Sequence, residues 1–151
     1  MSHIATIQTS ITDIEAVKLA CKELGLTFKE NQKTCDFWPT GGKPQQHPCD
    51  HAIGLPAGKY AMELGLVKTD KGYDLVGDNL LHLSEKNKDA SGEYWCQEIF
   101  GMNRNPLGEK YGKFLQSYGL NKASLEARRK GYLVTRQAGK NGAIKLVVTG
   151  M

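Results

Sequence analysis

At 151 residues the chain has room for one domain with a substantial core, and needs no metal or disulfide staple to fold. Apolar residues at 40% and charged residues at 24% are ordinary globular usage, which excludes wholesale disorder. The net charge of +4 hides an asymmetry: residues 104–145 hold ten Lys or Arg against Glu109 and Glu126, while the rest of the chain is net acidic. Such a basic third is expected to meet something anionic (nucleic acid, a nucleotide or an acidic protein face), unless it is a solvated helix surface.

No run approaches the roughly 20 apolar residues of a transmembrane helix, and the N-terminus lacks the basic-then-apolar pattern of a signal peptide. Cys21, Cys35, Cys49 and Cys96 are too sparse for a secreted disulfide scaffold. The expectation is a soluble cytoplasmic protein with no membrane partner.

Residues 3–11 alternate, with Ala5, Ile7, Thr9 and Ile11 on one side, as a half-buried strand does. Thr12-Asp13-Ile14-Glu15 reads as a capping box, with the Thr12 hydroxyl and Glu15 carboxylate satisfying amides at a helix start. Ile14, Val17, Cys21 and Leu24 then form an apolar stripe, Lys18, Lys22 and Glu23 face outward, and Gly25 stops the helix. Cys21 therefore reads as core, and residues 26–29 as a short second strand.

From 31 to 56, the breakers Pro39, Gly41, Gly42, Pro44, Pro48 and Pro56 predict a long irregular insertion. Tyr60, Met62, Leu64 and Leu66 alternate, Thr69-Asp70-Lys71-Gly72 turns, and residues 73–76 return, which predicts a hairpin. Residues 84–92 are polar and loop-like. Residues 94–100 form an apolar patch entering a helical region interrupted near Pro106, Gly108 and Gly112. Phe114, Leu115 and Tyr118 give that region an inward face, and Gly119 reads as a break.

Asn121 then caps a final helix ending at Gly131, and residues 132–137 and 143–148 form a hairpin about Gly139-Lys140-Asn141-Gly142. The order predicts one α+β domain over residues 1–151: an antiparallel sheet with two or three helices packed on one face and an irregular insertion at about 31–56.

Both ends carry a recognisable pattern. MSHIATIQTSITDIEAVKLACKELG resembles the start of the hypothetical chloroplast reading-frame thirty-five family, a domain of unknown function found in plastids, cyanobacteria, other bacteria and some phages. EARRKGYLVTRQAGKNGAIKLVV is similar to that family's glycine-terminated helix, strand, turn and final strand, and KYAMELGLVKTDKGYDLVGD to its central hairpin. Residues 32–55 and 77–105 depart from the pattern. The resemblance implies a binding or accessory role. It supplies no catalytic residues.

Cys35, His47, Cys49 and His51 are the most metal-like set, with Zn²⁺ the ion they would take and Cys96 an alternative ligand, although no Cys-x-x-Cys spacing is present. A nucleophilic Cys49 or Cys35 with His47 or His51 would make a hydrolase or transferase. Asp74, Asp78, Glu93 and Glu98 are the carboxylates available for acid–base work, and no phosphate-cradling glycine loop occurs.

The stronger case is the basic end. Arg128, Arg129 and Lys130 complement a helix dipole, and joined by Arg136, Lys140 and Lys145 they would form a face for phosphates or carboxylates. Tyr111, Tyr118 and Tyr132 are interleaved with them as core residues or stacking platforms, and Trp38 and Trp95 are possible partner anchors.

The expectation is thus a non-catalytic module that needs no cofactor and binds a host protein or a nucleotide. A phage-type variant would sequester a nucleotide signal or block a host protein. Nucleic acid is a further partner class, and an exposed sheet edge would permit a homo-oligomer.

Overall fold

The computed structural model describes residues 4–40, 43–55, 63–78, 112–140 and 143–150. Expectations on residues 84–111, on Tyr60 and Met62 and on the Asn141-Gly142 turn lie outside them.

The chain opens with β1 (Ile4–Ile11), α1 (Ile14–Leu24) and β2 (Thr27–Lys29). The N-cap of α1 is Asp13, one residue later than the expected Thr12: its carboxylate accepts from the Ala16 amide at 3.3 Å. Gly25 ends the helix in the left-handed region (φ 71°), its N–H bonded to the Cys21 carbonyl, and the Leu26 amide reaches the same oxygen at 2.8 Å.

Residues expected as an irregular insertion instead carry β3 (Thr34–Thr40), β4 (Lys43–Pro48) and β5 (His51–Gly54). The breakers are accommodated because, among the described residues, β3 and β4 pair only with each other, so each has an edge where proline's missing N–H removes no ladder bond. A register shift between Phe37 and Thr40 takes up the irregularity.

The hairpin of β6 (Glu63–Thr69) and β7 (Gly72–Asp78) falls where the alternation placed it. At its turn the Thr69 hydroxyl accepts from the Lys71 amide at 3.2 Å. Gly72 has φ 138°, and a Cβ there would collide with the Ile11 carbonyl of β1.

These strands form a five-stranded antiparallel sheet in the order β1-β7-β6-β5-β2, so the fold is α+β. Alternation gives it two faces. On one, Ile53, Leu64, Leu66 and Leu75 pack with Ala16, Val17, Ala20 and Cys21 of α1 and with Phe114 and Tyr118 of α2 (Gly112–Arg129). On the other, Ala52 and Val76 pack with Cys35 and Cys49 under the β3–β4 hairpin.

Gly65 is why that hairpin lies close to the sheet: a Cβ would come 2.7 Å from Cys35 Sγ, 2.9 Å from Val76 Cγ2 and 3.0 Å from Cys49 Cβ.

Helix α2 is continuous through both Gly119 and Asn121, where a break and a cap were expected. An internal glycine costs only about 1 kcal/mol, less than the buried face it interrupts contributes. That face is half polar, with Ser117, Asn121 and Ser124 buried beside Phe114 and Tyr118, which hid its periodicity. The final strands, β8 (Leu133–Ala138) and β9 (Ile144–Thr149), pair as a separate two-stranded hairpin. Among the described residues no helix is long and apolar enough to cross a membrane.

Candidate partner-binding face

The six basic residues expected to form one face divide into two groups. Two are engaged by carboxylates of α1. Arg129 bonds to Asp13 at 3.0 Å, tying the C-terminal turn of α2 to the N-cap of α1. Burial alone would raise the Asp13 pKa, but the Arg129 guanidinium and the Ala16 amide overcome it and hold the carboxyl below its ordinary value.

Arg136 of β8 meets Glu23 at 2.8 Å and the Asn121 Oδ1 at 3.2 Å. Glu23, expected to face solvent, also accepts from the Ser117 hydroxyl at 2.7 Å and the Asn121 amide group at 3.2 Å. Desolvation pushes its pKa up, and these three partners more than reverse the shift. Glu23 therefore joins α1, α2 and β8. No local pattern in the chain signals this, because it depends on which helix crosses α1.

The other four, Arg128, Lys130, Lys140 and Lys145, are exposed. The end of α2 presents the first two. The Gly131 amide donates to the Arg128 carbonyl at 2.9 Å and the Tyr132 amide to the Ala127 carbonyl at 3.1 Å, a Schellman closure that needs the φ of 87° Gly131 supplies.

The register of the hairpin separates the remaining cations. Arg136 lies opposite Leu146 on the side turned to the helices, whereas Lys145 lies opposite Gln137 on the outer side with Leu133, Thr135 and Val147. Large apolar residues are exposed on both sides of the hairpin: Leu133 at 58% shares the side of Lys145, Ile144 at 40% and Val148 at 50% share that of Arg136, and Tyr132 at 42% precedes the first strand. Tyr118 is no stacking platform. It is buried, and its hydroxyl oxygen accepts from the Thr12 and Asp13 amides at 2.8 and 3.1 Å.

Between the hairpin and the helices runs a cleft of about 270 Å³, bounded by Leu24, Leu120 and Ile144 with Glu23, Lys113 and Arg136. Its principal charges, Glu23 and Arg136, already face each other.

The metal-like set is split between the two faces of the sheet. Cys35 and Cys49 are buried under the β3–β4 hairpin, their thiols donating to the His47 carbonyl at 3.6 Å and the Gln32 carbonyl at 3.2 Å. The His47 ring lies opposite Cys35 in the ladder, its Nδ1 2.8 Å from the Pro48 carbonyl. His51 points to the helix side, between Phe28 and Tyr73 at 5.6 and 5.5 Å. Its Nδ1 accepts from the Asn31 amide at 2.9 Å, which leaves the proton of the neutral ring on Nε2.

Among the described residues, no group of three or more His, Cys, Asp or Glu side chains is placed to hold a metal ion. Burial raises the thiol pKa of both Cys35 and Cys49, the direction opposite to that of an activated nucleophile. Of the carboxylates, Asp74 lies opposite Val67 on the hairpin side of the sheet, and Glu93 and Glu98 lie outside the described residues.

Glu63, not expected from the sequence, is a buried carboxylate on that same side. It accepts from Lys29 Nζ at 2.6 Å, from Gln32 Nε2 at 3.0 Å and from the Asp36 amide at 2.9 Å. Desolvation would raise its pKa, but these donors lower it below its ordinary value. The amide donor belongs to β3, so Glu63 pins the hairpin to the sheet.

The described residues define a small α+β protein: an antiparallel sheet with two helices on one face, a hairpin on the other, and a second hairpin beside the helices. Along nearly its whole length the chain is similar to a protein of Pyropia yezoensis named "Uncharacterized protein ycf35", 29% identical over 149 residues, covering 98% of this chain and 96% of that one. The resemblance to the hypothetical chloroplast reading-frame thirty-five family at the two ends is therefore borne out across the chain. No family profile matches. No solved structure matches either.

Proposed function

We propose that the protein is a non-catalytic binding or accessory module of the cytoplasm that takes an anionic partner on its C-terminal end. The observation that carries this reading is a mixed surface: Arg128, Lys130, Lys140 and Lys145 are exposed and, among the described residues, have no carboxylate partner, and they share the C-terminal unit with exposed Tyr132 and Leu133. Apolar area supplies affinity there and the cations supply orientation, a combination suited to an acidic protein face. A nucleotide or nucleic acid would use the cations more than the apolar residues.

The test is capture of partners on the immobilised full chain from cells that carry it, followed by native mass spectrometry of the complex. The expected outcome is a protein partner whose affinity drops roughly tenfold or more in Lys130→Glu with Lys145→Glu, and also in Leu133→Ser. Binding lost by charge reversal but untouched by Leu133→Ser, and falling steeply with salt, would favour the nucleotide or nucleic-acid reading. Retention of all binding in both variants would overturn the assignment of this face.

A further inference from the structure

We propose that Cys35 and Cys49 form a reversible disulfide that clamps the β3–β4 hairpin onto the sheet, at a place separate from the partner-binding face.

The placement of the two residues carries the inference. The Cys49 amide donates to the Lys33 carbonyl at 2.9 Å, continuing the ladder in which Thr34 faces Pro48 and Cys35 faces His47. Cys35 and Cys49 are therefore diagonal neighbours on one face of the hairpin. Both converge on Gly65, where a Cβ would lie 2.7 Å from the Cys35 sulfur and 3.0 Å from the Cys49 Cβ. Both side chains belong to one buried cluster with Ala52 and Val76. The Cys35 sulfur and the Cys49 Cβ thus lie against one point over Gly65, and rotation of the two side chains about χ1 carries the sulfurs toward disulfide spacing.

The chemistry needs an external oxidant, and a low-molecular-weight disulfide such as oxidised glutathione serves. The Cys49 thiolate, formed by loss of its proton to water, attacks one glutathione sulfur. The S–S bond of glutathione breaks and one glutathione thiolate leaves. The Cys35 thiolate then attacks the Cys49 sulfur of the mixed disulfide and releases the second glutathione thiolate. Both leaving thiolates take up the protons given off by the cysteines. The balance is two protein thiols and one oxidised glutathione giving one protein disulfide and two reduced glutathiones, so the protein pair is oxidised by two electrons.

Cys49 is the first attacker because it is 7% exposed, whereas Cys35 is fully enclosed. Desolvation disfavours both thiolates, so the exchange is slow while the hairpin is closed and speeds up with rising pH or hairpin opening.

The experiment incubates the full chain with oxidised glutathione at about pH 8, blocks remaining thiols, and maps peptides without reductant. The expected result is loss of two hydrogen atoms from the intact mass and a Cys35–Cys49 peptide, with Cys21 still blocked as a thiol. Limited proteolysis within residues 36–48 should slow roughly tenfold and recover with dithiothreitol. In Cys49→Ala the cross-link should vanish, and if that variant does not fold, the wild-type map alone decides. A persistent glutathione adduct on either residue, a bridge to Cys96, or no cross-link at all would overturn the proposal.

Discussion

Among the described residues two hairpins lie outside the central sheet, and they are packed in opposite ways. The β3–β4 hairpin encloses Cys35 and Cys49 against Gly65 and is held through its backbone by a buried carboxylate, Glu63. The β8–β9 hairpin leaves Leu133 and Val148 at least half exposed and is tied to the helices through the Arg136 link to Glu23 and Asn121. An isolated two-stranded hairpin is marginal in water. The first gains its stability from the sheet. The second keeps apolar side chains in solvent, which is where the proposed partner would cover them.

The sharpest way to break this contrast is Gly65→Val. The added side chain would meet Cys35, Val76 and Cys49, so the denaturation midpoint should fall by the equivalent of about 3 kcal/mol. Leu133→Ser in the other hairpin should move it by no more than about 0.5 kcal/mol. Equal losses in urea titrations would mean that the hairpins contribute alike.

Next in size is Glu63→Gln. It removes the charged acceptor for Lys29 and weakens the hold on Gln32 and the Asp36 amide, at a cost of about 1–3 kcal/mol. The pH dependence has a definite sign. The folded protein holds the Glu63 carboxyl below its ordinary value, so its contribution is fully present above the ordinary glutamate range and is lost as pH falls through the lowered value. Thermal melts from neutral pH downward should show a steeper loss in the wild type than in Glu63→Gln. Parallel curves would show that Glu63 does not supply the acid sensitivity.

Gly119→Ala should act the other way. Gly119 is exposed in α2 with open space around its missing Cβ, so alanine should stabilise the protein by up to about 1 kcal/mol. The smallest global effect is expected of Arg136→Ala: below about 1 kcal/mol, because the pair is partly exposed. Amide hydrogen exchange should nonetheless speed up selectively in β8 and β9. Unchanged exchange there would show that the hairpin is held by other contacts.

How far the sequence revealed this arrangement followed from how local each signal was. Alternation at Leu64 and Leu66, the glycine stops at Gly25 and Gly131, and the C-terminal hairpin were legible, because period and turn chemistry are carried within a few residues. The β3–β4 hairpin was hidden by its prolines, which break strands in the middle of a sheet but not in a pair that, among the described residues, has no further strand beside it. The length of α2 was hidden by its buried serines and Asn121, whose partners come from elsewhere.

The candidate face was legible in its residue types and only partly in its membership. All six basic residues were visible as charges, but the fates of Arg129 and Arg136 depend on Asp13 and Glu23, more than a hundred residues earlier in the chain. His51 fell on the far side of the sheet from Cys35 and Cys49 because β5 alternates through the sheet: it points one way with Ile53, and Ala52 points the other.

The strand order sets a timetable for synthesis. The two edges of the sheet, β1 and β2, come from the first 29 residues, while the central meander β5-β6-β7 is translated later. Ile4 pairs with Asp78, so β1 leaves the ribosome well before its partner exists. The growing chain thus carries two edge strands and a helix that wait for the centre, and the sheet closes in a late step across a long loop. A chain that lost its first 29 residues would expose both sides of the meander at once, inviting edge-to-edge association with other chains.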